Sequence, residues 1–321
     1  MMKKFKNLQK IKKIFEEGEN IIKYLKKKEG RKSNRLDDIL ISYDFQSGQY
    51  LKNLLSNIDF KLNYCQSLAN RINKFDKCDS ILEVGIGEAT TFGLLKKKLS
   101  NNFKFYGGFD ISWSRLSYAQ YFLKDIGIKN FRLFCADLFQ IPLFDNSIDI
   151  VYTSHSLEPN GGREEQAILE LMRITSKYLV LLEPIYELEN ESVQKRMDEH
   201  GYIKGLYEII IKNGFKILEY KKFEYSQNRQ NPTSIIVIEK VQDIKKNNID
   251  FMCPISKKQL KIYDNLLYSK EGCLSYPIIS KIPCLVKENA ILTSHYDRSF
   301  KKFKSNIGIG DFNSIIYPPV K

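Results

Sequence analysis

The sequence predicts an α/β protein built on a doubly wound, mostly parallel sheet that ends in an antiparallel hairpin. From Ser80 onward, short apolar runs alternate with helical segments, as they do in a sheet whose strands are joined by crossover helices. A turn containing two glycines follows the first apolar run. Because 321 residues exceed the roughly 250–300 at which one core usually stops growing, we expect a smaller additional unit.

Composition excludes several classes of protein. The chain has no apolar stretch near the roughly 18–20 residues that span a bilayer, and its basic start has no apolar segment typical of a signal peptide. Its six cysteines include no CxxC pair, so neither a disulfide framework nor a redox or zinc pair is indicated. We therefore expect a cytoplasmic protein with reduced thiols.

The net charge of +13 is concentrated at the two ends of the chain. Residues 1–36 hold 13 Lys and Arg against 4 Asp and Glu, and residues 241–321 hold 13 against 7. Such a basic arm can bind phosphates or an anionic membrane surface. A solvated, Lys-rich helix has the same composition, and few aromatic residues accompany these charges. We favour the solvated helix and keep nucleic-acid binding as the alternative.

Residues 1–75 are predicted to form a basic helical region that caps the core. Apolar residues at helical spacing predict one amphipathic helix over residues 1–30, and two further helices are predicted between residues 45 and 75. Tyr43 and Gln46 lie on the helix that precedes the core. They are candidates for substrate contact, although an aromatic stripe that docks this helix is an equal alternative.

Residues 76–240 are predicted to form the main domain. The last two strands are separated by a segment containing SQNRQNPT, which is too short for a crossover helix, so we expect them to pair antiparallel. The predicted strands are Ile81–Val84, Lys104–Phe109, Phe131–Cys135, Ile148–Thr153, Tyr178–Leu182, Phe215–Phe223 and Ser234–Glu239.

The segment ILEVGIGEATT places an acid at a strand end and a tight turn behind it. Gly85 and Gly87 suit a turn that needs unusual dihedral angles and lets a ligand approach bare backbone. Asp110 then closes the second strand, where a carboxylate can accept both hydroxyls of a ribose. The next segment, FCADLFQIPLFDNSIDIVYTS, places Asp137 at the end of the third strand.

These motifs, in this order, resemble the class I S-adenosylmethionine-dependent methyltransferases, particularly the methyltransferase type 11 group. The resemblance runs from about Ile81 to Lys240 and implies S-adenosylmethionine as cofactor. It also implies the cofactor-binding residues. Glu83, Gly85 and Gly87 would hold the methionine moiety, Asp110 the ribose, and Asp137 with Leu138 the adenine edge. Ile111 and Thr153 are further candidates for cofactor binding.

Two other interpretations of the glycine turn are less consistent with the sequence. A dinucleotide oxidoreductase would have GxGxxG, whereas Thr90 stands at the third glycine position. A fold that has lost its ligand is the second alternative, and the acids at positions 83, 110 and 137 argue against it.

The segment after the fourth strand, TSHSLEPNGGREE, bears on the methyl acceptor. It has neither the Asn/Asp-Pro-Pro-aromatic tetrapeptide of methylases that act on amide or base nitrogens nor a cysteine nucleophile. It supplies His155, which can remove a proton, and Glu158, which can orient the imidazole. An oxygen or sp3 nitrogen acceptor is therefore expected. Alternatively, His155 is structural and proximity alone suffices.

Glu183 and Tyr186 follow the fifth strand at the same edge of the sheet, so they are further candidates for acceptor contact. The expected acceptor is a small molecule or a surface-glycan precursor. An RNA or protein methyltransferase that uses the basic arm, and a non-catalytic cofactor-binding protein, remain the alternatives. The sequence makes no prediction of the oligomeric state.

Residues 241–292 are predicted to form a small module, followed by a basic tail over residues 293–321. The module resembles the zinc-ribbon-like domain that activates tRNA and translation-factor methyltransferases. At its four ligand positions stand Cys253, Ser256, Cys273 and Tyr276, and the nearby Cys284 makes only three thiols where tetrahedral zinc needs four ligands. We therefore expect a structural module that binds no metal.

Overall fold

A computed structural model of the chain describes residues 7–31, 33–241, 246–263, 265–294 and 296. Its main sheet has seven strands in the order β3-β2-β1-β4-β5-β7-β6, of which only β7 runs antiparallel to its neighbours. The strands are β1 Ser80–Val84, β2 Phe105–Asp110, β3 Arg132–Cys135, β4 Ile148–Ser154, β5 Thr175–Glu183, β6 Lys216–Lys222 and β7 Ser234–Glu239. The predicted doubly wound sheet and its terminal hairpin are confirmed.

The burial of the central strands explains why the sequence revealed them. All of β1 and β2 is buried, as is all of β4 up to Thr153, because helices cover both faces of the parallel part of the sheet. Strand β6 at the edge is mostly exposed and alternates in burial. Strand β3 ends at Cys135, as predicted, and Asp137 lies two residues further on, in the loop that follows the strand.

Helices pack on the two faces of the sheet in two separate apolar clusters. One cluster joins the sheet to α5, α6 and α7, and the other joins it to α8 and α10. These helices are α5 Ile58–Ile72, α6 Thr90–Lys96, α7 Trp113–Asp125, α8 Glu164–Ile174, α9 Glu191–His200 and α10 Leu206–Lys212.

The N-terminal region differs from its prediction, because two glycines break helices that the apolar pattern makes continuous. Within the described part of residues 1–30 there are two helices, α1 Leu8–Glu16 and α2 Ile21–Lys28, separated at Gly18 with φ of +78°. Gly48, with φ of +91°, likewise separates α3 from α4. These two helices are α3 Leu36–Phe45 and α4 Gln49–Ser56. The apolar faces of α1 and α2 pack on α3.

The C-terminal module is a small antiparallel sheet that contacts the outer edge of the main sheet at β3. The backbone of Cys284 pairs in parallel with Cys135, and the Leu285 N–H donates to the Cys135 carbonyl at 2.9 Å. This pairing covers an edge that would otherwise expose free backbone groups. Its strands are β8 Lys261–Tyr263, β9 Leu266–Ser269, β10 Leu274–Ile279, β11 Ile282–Pro283 and β12 Ile291–Leu292. The predicted basic tail lies outside the described residues except for 293, 294 and 296.

Candidate functional site

A cavity of about 450 Å³ opens at the carboxyl ends of β1, β2 and β4. Its wall is built by the helices α3 to α5, the glycine turn after β1, the segment after β4 and the loop between β6 and β7. This volume is in the range of small-molecule sites, roughly 300–1,000 Å³. The carboxyl edge of a doubly wound sheet is also where ligands bind in this kind of fold.

The glycine turn has the geometry that its sequence indicates. Gly85 and Gly87 have φ of +65° and +54°, in the left-handed region that glycine adopts most easily. A Cβ at Gly85 would lie 2.3 Å from the Cβ of Ser156, so the turn touches the segment after β4. The Gly87 N–H donates to Oδ2 of Asp110 at 3.0 Å, which links the turn to the end of β2.

Asp110 is buried beside a cation that the sequence did not single out. Its Oδ1 accepts from the Ser112 N–H at 2.9 Å, and burial raises the pKa of the carboxyl while nearby Arg115 opposes that rise. The Arg115 guanidinium lies 4.5 Å and 4.7 Å from the ring centres of Tyr43 and Tyr50. Each carboxylate oxygen keeps a lone pair with which it can accept from a ligand hydroxyl.

Glu83 forms the other acidic end of this half of the cavity. Its carboxylate accepts from the Tyr152 hydroxyl at 2.9 Å, and burial raises its pKa to about 8 although the hydrogen bond and nearby Lys61 oppose that rise. Lys61 lies on α5, and its ammonium is 4.6 Å from the centre of the Tyr64 ring. The sequence analysis missed Lys61 because it lies more than twenty residues before the glycine turn.

A carboxylate at the glycine turn holds the helical lid, which we define as residues 36–57. Glu88, which is 2% exposed, accepts from the N–H groups of Gly48 and Leu51, both at 2.8 Å. The Ser112 hydroxyl donates to Asp44 Oδ1 at 2.7 Å, a second attachment of the lid to the core. The sequence analysis missed the role of Glu88, because its partners Gly48 and Leu51 lie in a distant segment.

His155 is held on three sides at the acceptor end of the cavity. Its Nδ1 is 3.0 Å from Glu158 Oε2, and its Nε2 is 2.7 Å from the Thr233 hydroxyl. Asn231 also donates to Glu158 Oε2, at 3.1 Å. Burial lowers the pKa of His155, but the hydrogen bond and charge of Glu158 outweigh this and raise it above its usual value. The structure thus brings together the predicted pair His155 and Glu158.

The loop between β6 and β7 supplies cavity residues that the sequence analysis treated only as a hairpin connection. Gln227, Asn228, Asn231 and Thr233 all line the wall. Arg196 holds this loop through a hydrogen bond from Nη1 to the Gln230 carbonyl at 3.2 Å. The segment SQNRQNPT contains four Asn or Gln side chains, and this high proportion of carboxamides could have indicated a polar binding surface.

The predicted cofactor, substrate and catalytic residues divide into three groups by their position relative to the cavity. The wall of the cavity includes Glu83, Gly85, Gly87, Asp110, Ile111, Leu138, Tyr43, His155 and Glu158. Asp137 and Thr153 lie just behind the wall. The Oδ1 of Asp137 accepts from the Phe139 N–H at 2.9 Å, and Thr153 is buried in β4.

Three of the predicted substrate residues are directed elsewhere. Gln46 donates to Ser42 within the lid at 3.0 Å. Glu183 is fully buried, its Oε1 accepts from the Ser156 N–H at 3.0 Å, and burial raises its pKa to about 7. The Tyr186 hydroxyl lies 3.4 Å from Asp198, away from the cavity. These side chains do not line the cavity, although Glu183 supports its wall through Ser156.

The cysteines of the C-terminal module do not make a donor set for zinc. Cys253 Sγ accepts from the Ser256 N–H at 3.3 Å and lies 3.4 Å from the Tyr276 hydroxyl. Cys273 Sγ is 3.7 Å from the Lys270 carbonyl. In the part of the chain that the structure describes, no three His, Cys, Asp or Glu side chains are grouped as metal ligands. Nor does any described helix have the length and apolarity needed to cross a bilayer.

Comparison with known proteins matches part of the core to a family. Residues 81–177 match the family described as a methyltransferase domain. No curated protein matches the sequence. Solved structures with a similar fold include a magnesium protoporphyrin IX methyltransferase from Synechocystis PCC 6803 with bound SAH. It is 15% identical, and the match covers 56% of this chain and 83% of that chain with a TM-score of 0.45.

Two further structures match a similar share of the chain. The complex of the Haloferax volcanii Trm112 methyltransferase activator with a protein assigned as a methyltransferase is 12% identical, with 60% of this chain and 94% of that chain covered and a TM-score of 0.48. A SAM-dependent methyltransferase from Aquifex aeolicus is 17% identical, with 56% and 97% covered and a TM-score of 0.39.

The family match and the strand order agree on the nature of the core. A sheet with this order and one antiparallel strand, together with the match over residues 81–177, identifies a class I methyltransferase domain. Residues 81–177 are therefore assigned to a methyltransferase domain, whose expected cofactor is S-adenosylmethionine. The glycine turn, buried Asp110 and buried Glu83 fit that cofactor, because they offer bare backbone, an acceptor for hydroxyls and an acceptor for an ammonium group.

Proposed function

We propose that this protein methylates a hydroxyl group of a small polar molecule or surface-glycan precursor. The observation that carries the proposal is the hydrogen-bonded set of Glu158, His155 and Thr233 at the end of the cavity beyond the glycine turn. Hydroxyl methylation requires that a proton leave the acceptor oxygen as the methyl group arrives. An imidazole held in one orientation by a carboxylate is suited to accept that proton.

The hydrogen bonds define the form of the imidazole that can do this. An ionised carboxylate only accepts, so Nδ1 of His155 donates to Glu158 and the lone pair lies on Nε2. The Thr233 hydroxyl then donates to Nε2. S-Adenosylmethionine supplies a methyl group on a sulfonium leaving group. As the acceptor oxygen gains the methyl group, its proton moves to Thr233 Oγ1, and the Thr233 proton moves to Nε2.

The remaining wall supports a polar acceptor of limited size. Carboxamides of Asn53, Asn57, Gln227 and Asn228 line the cavity, each able to donate and accept hydrogen bonds. The cavity of about 450 Å³ must also hold the cofactor, which leaves room for a small acceptor or for one end of a longer one. A polyhydroxylated molecule satisfies both conditions.

The proposal is tested by following the methyl group. Purified protein is incubated with methyl-labelled S-adenosylmethionine and a fractionated cell extract, and the labelled products are identified by mass spectrometry. We expect the label as a methyl ether in the fraction of small polar molecules. Label found only in RNA or in protein would contradict the proposed acceptor and would favour the use of the basic arm on α1 and α2.

We further propose that the C-terminal module is a zinc-ribbon-like activator domain that has exchanged its metal for hydrogen bonds. The contacts of Cys253 with Tyr276 and with the Ser256 N–H support this, because they join positions that hold zinc in the usual form of the domain. Ser256 Oγ is also 3.1 Å from Ser269 Oγ. The module contributes Tyr276 and Leu285 to the apolar cluster beneath the sheet, which gives it a structural role.

A further inference from the structure

A tripeptide at the end of the loop between β6 and β7, Asn231-Pro232-Thr233, brackets the imidazole of His155, and we call it the bracket. Asn231 lies on the Nδ1 side, where its Nδ2 donates to Glu158 Oε2 at 3.1 Å and is 3.4 Å from Nδ1. The Thr233 hydroxyl lies on the other side, 2.7 Å from Nε2. Pro232 fixes its own φ and restricts Asn231 to extended conformations. One short, stiff segment therefore contacts both ring nitrogens.

The bracket is anchored at both of its ends. Arg196 on α9 donates from Nη1 to Asn231 Oδ1 at 3.3 Å. At the other end, the Thr233 N–H donates to Ser226 Oγ at 3.1 Å. A guanidinium can only donate, so the carboxamide oxygen of Asn231 faces α9 and its amide nitrogen faces Glu158. The orientation of the Asn231 carboxamide is thus set by a partner on another helix.

The backbone of His155 is fixed as well. Its φ of +55° lies in the left-handed region, which is uncommon for a residue with a side chain. Its N–H donates to the Leu182 carbonyl at 2.9 Å. Backbone conformations of this kind persist only where the surroundings hold them, and they are concentrated at functional sites. The imidazole is therefore constrained from its own main chain and from the bracket.

The charged groups around the imidazole come from its own segment and from two other elements. Burial lowers the pKa of His155, whereas Glu158 in its own segment and Glu183 on β5 raise it, and Lys61 on α5 lowers it. Asn231 and Thr233 add only neutral groups to this balance. The bracket can therefore orient the imidazole without changing the charge beside it.

We propose that Asn231 is a positioning residue that holds Glu158 and thereby keeps the proton of the neutral imidazole on Nδ1 and the lone pair on Nε2. Two N–H donors, one from the ring and one from Asn231, converge on Glu158 Oε2 and align the carboxylate with Nδ1. Arg196 acts one step further out, because its hydrogen bond keeps the Asn231 oxygen from turning toward Glu158. The inference rests on the proposed function in taking His155 as the base, and it adds two residues that prepare this base.

The test locates the proton by NMR and needs no acceptor. In protein that carries isotope-labelled histidine, the chemical shifts of the two ring nitrogens distinguish the Nδ1–H form from the Nε2–H form, and the signals missing in His155→Gln belong to His155. We expect the Nδ1–H form in the wild type. In Asn231→Ala and in Arg196→Met, the Nε2–H form should increase by about fivefold, as for the loss of one hydrogen bond. The double variant should resemble Asn231→Ala alone, because the two residues act in series.

Three further variants separate positioning from effects on the fold. Asn231→Asp places a second carboxylate beside Glu158 and the ring, so the midpoint of the His155 titration should move to higher pH. Arg196→Lys keeps a donor and should restore most of the wild-type spectrum, which a merely structural effect would not do. Arg229→Met changes an exposed arginine of the same loop and should leave the spectrum unchanged. If Asn231→Ala does not fold, Asn231→Asp and Arg196→Met supply the same contrast.

Three results would overturn the role of the bracket. The Nε2–H form in the wild type would contradict both the bracket and the use of Nε2 as the base. An unchanged spectrum in Asn231→Ala and Arg196→Met would make both residues structural and leave the proposed function standing. Equal changes in Arg229→Met would show that the loop is disturbed as a whole. Conversely, the expected spectra without methyl transfer to any small polar molecule would refute the proposed function and support the bracket.

Discussion

The two halves of the cavity are built in different ways. In the cofactor half, Glu83 and Asp110 lie at the ends of the neighbouring strands β1 and β2, and the glycine turn follows directly. In the acceptor half, Tyr43, His155 and Thr233 come from segments far apart in the chain. The first half is fixed by strand pairing and backbone hydrogen bonds, and the second by side-chain contacts between segments. Substitutions should therefore affect binding and turnover separately.

The largest effect should come from the acceptor half. His155→Gln keeps the volume of the side chain but cannot accept a proton at neutral pH, so turnover should fall by about a hundredfold or more. Cofactor affinity, measured by calorimetry, should remain nearly unchanged. Because the neutral imidazole is the base and its pKa is raised, the wild-type rate should fall as the pH drops through a value above the usual 6.5 or so.

A matched variant tests the path of the proton. Thr233→Val keeps the shape of the residue and removes the hydroxyl that bonds to Nε2, so turnover should fall while the pH profile persists. Near-normal turnover in His155→Gln, with a flat rate between about pH 6 and 8, would show that proximity alone suffices.

The next largest effect should lie in the cofactor half. Asp110→Ala should weaken the binding of S-adenosylmethionine by about 1–3 kcal/mol, because the hydrogen bonds to the ribose hydroxyls are lost. At saturating cofactor, turnover should be much less affected than in His155→Gln. Titration calorimetry measures the affinity, and Asp125→Ala on the exposed end of α7 is the control. Equal affinity of Asp110→Ala and the wild type would place the ribose elsewhere.

A smaller effect should follow from loosening the lid that spans both halves. Glu88→Gln retains only one good acceptor for the N–H groups of Gly48 and Leu51, a loss of about 1 kcal/mol. Hydrogen exchange of those two amides should accelerate by about fivefold, with little change in exchange in β1 or β4. Exchange that accelerates equally throughout the protein would indicate global destabilisation and not release of the lid.

The smallest effect, a change close to zero, is expected from metal removal. A strong chelator should leave the Tm unchanged, and elemental analysis should find well under one zinc per chain, because Cys253 contacts hydroxyl and amide groups. Stoichiometric zinc, or unfolding in the chelator, would show that the module binds a metal ion. It would contradict our interpretation that Cys273 and Cys284 are not zinc ligands.

Much of the fold could be predicted because its signals are local. The buried strands are continuous apolar runs, and the glycine turn and Asp110 follow directly from strand ends. The helical breaks at Gly18 and Gly48 were missed, because apolar periodicity continues across both residues and a glycine is tolerated within a helix. Only packing decides whether the chain turns at such a glycine.

The sequence by itself determined the sheet, the acids at its edge and the adjacency of His155 and Glu158, because each depends on neighbours within a few residues. Tertiary structure alone decided that Lys61 lines the same cavity as the glycine turn and that the Thr233 hydroxyl bonds to the imidazole. It also directed Tyr186 away from the cavity. The partners of such side chains are supplied by distant segments, and a charge or hydroxyl acquires its role only when folding sets what lies opposite it.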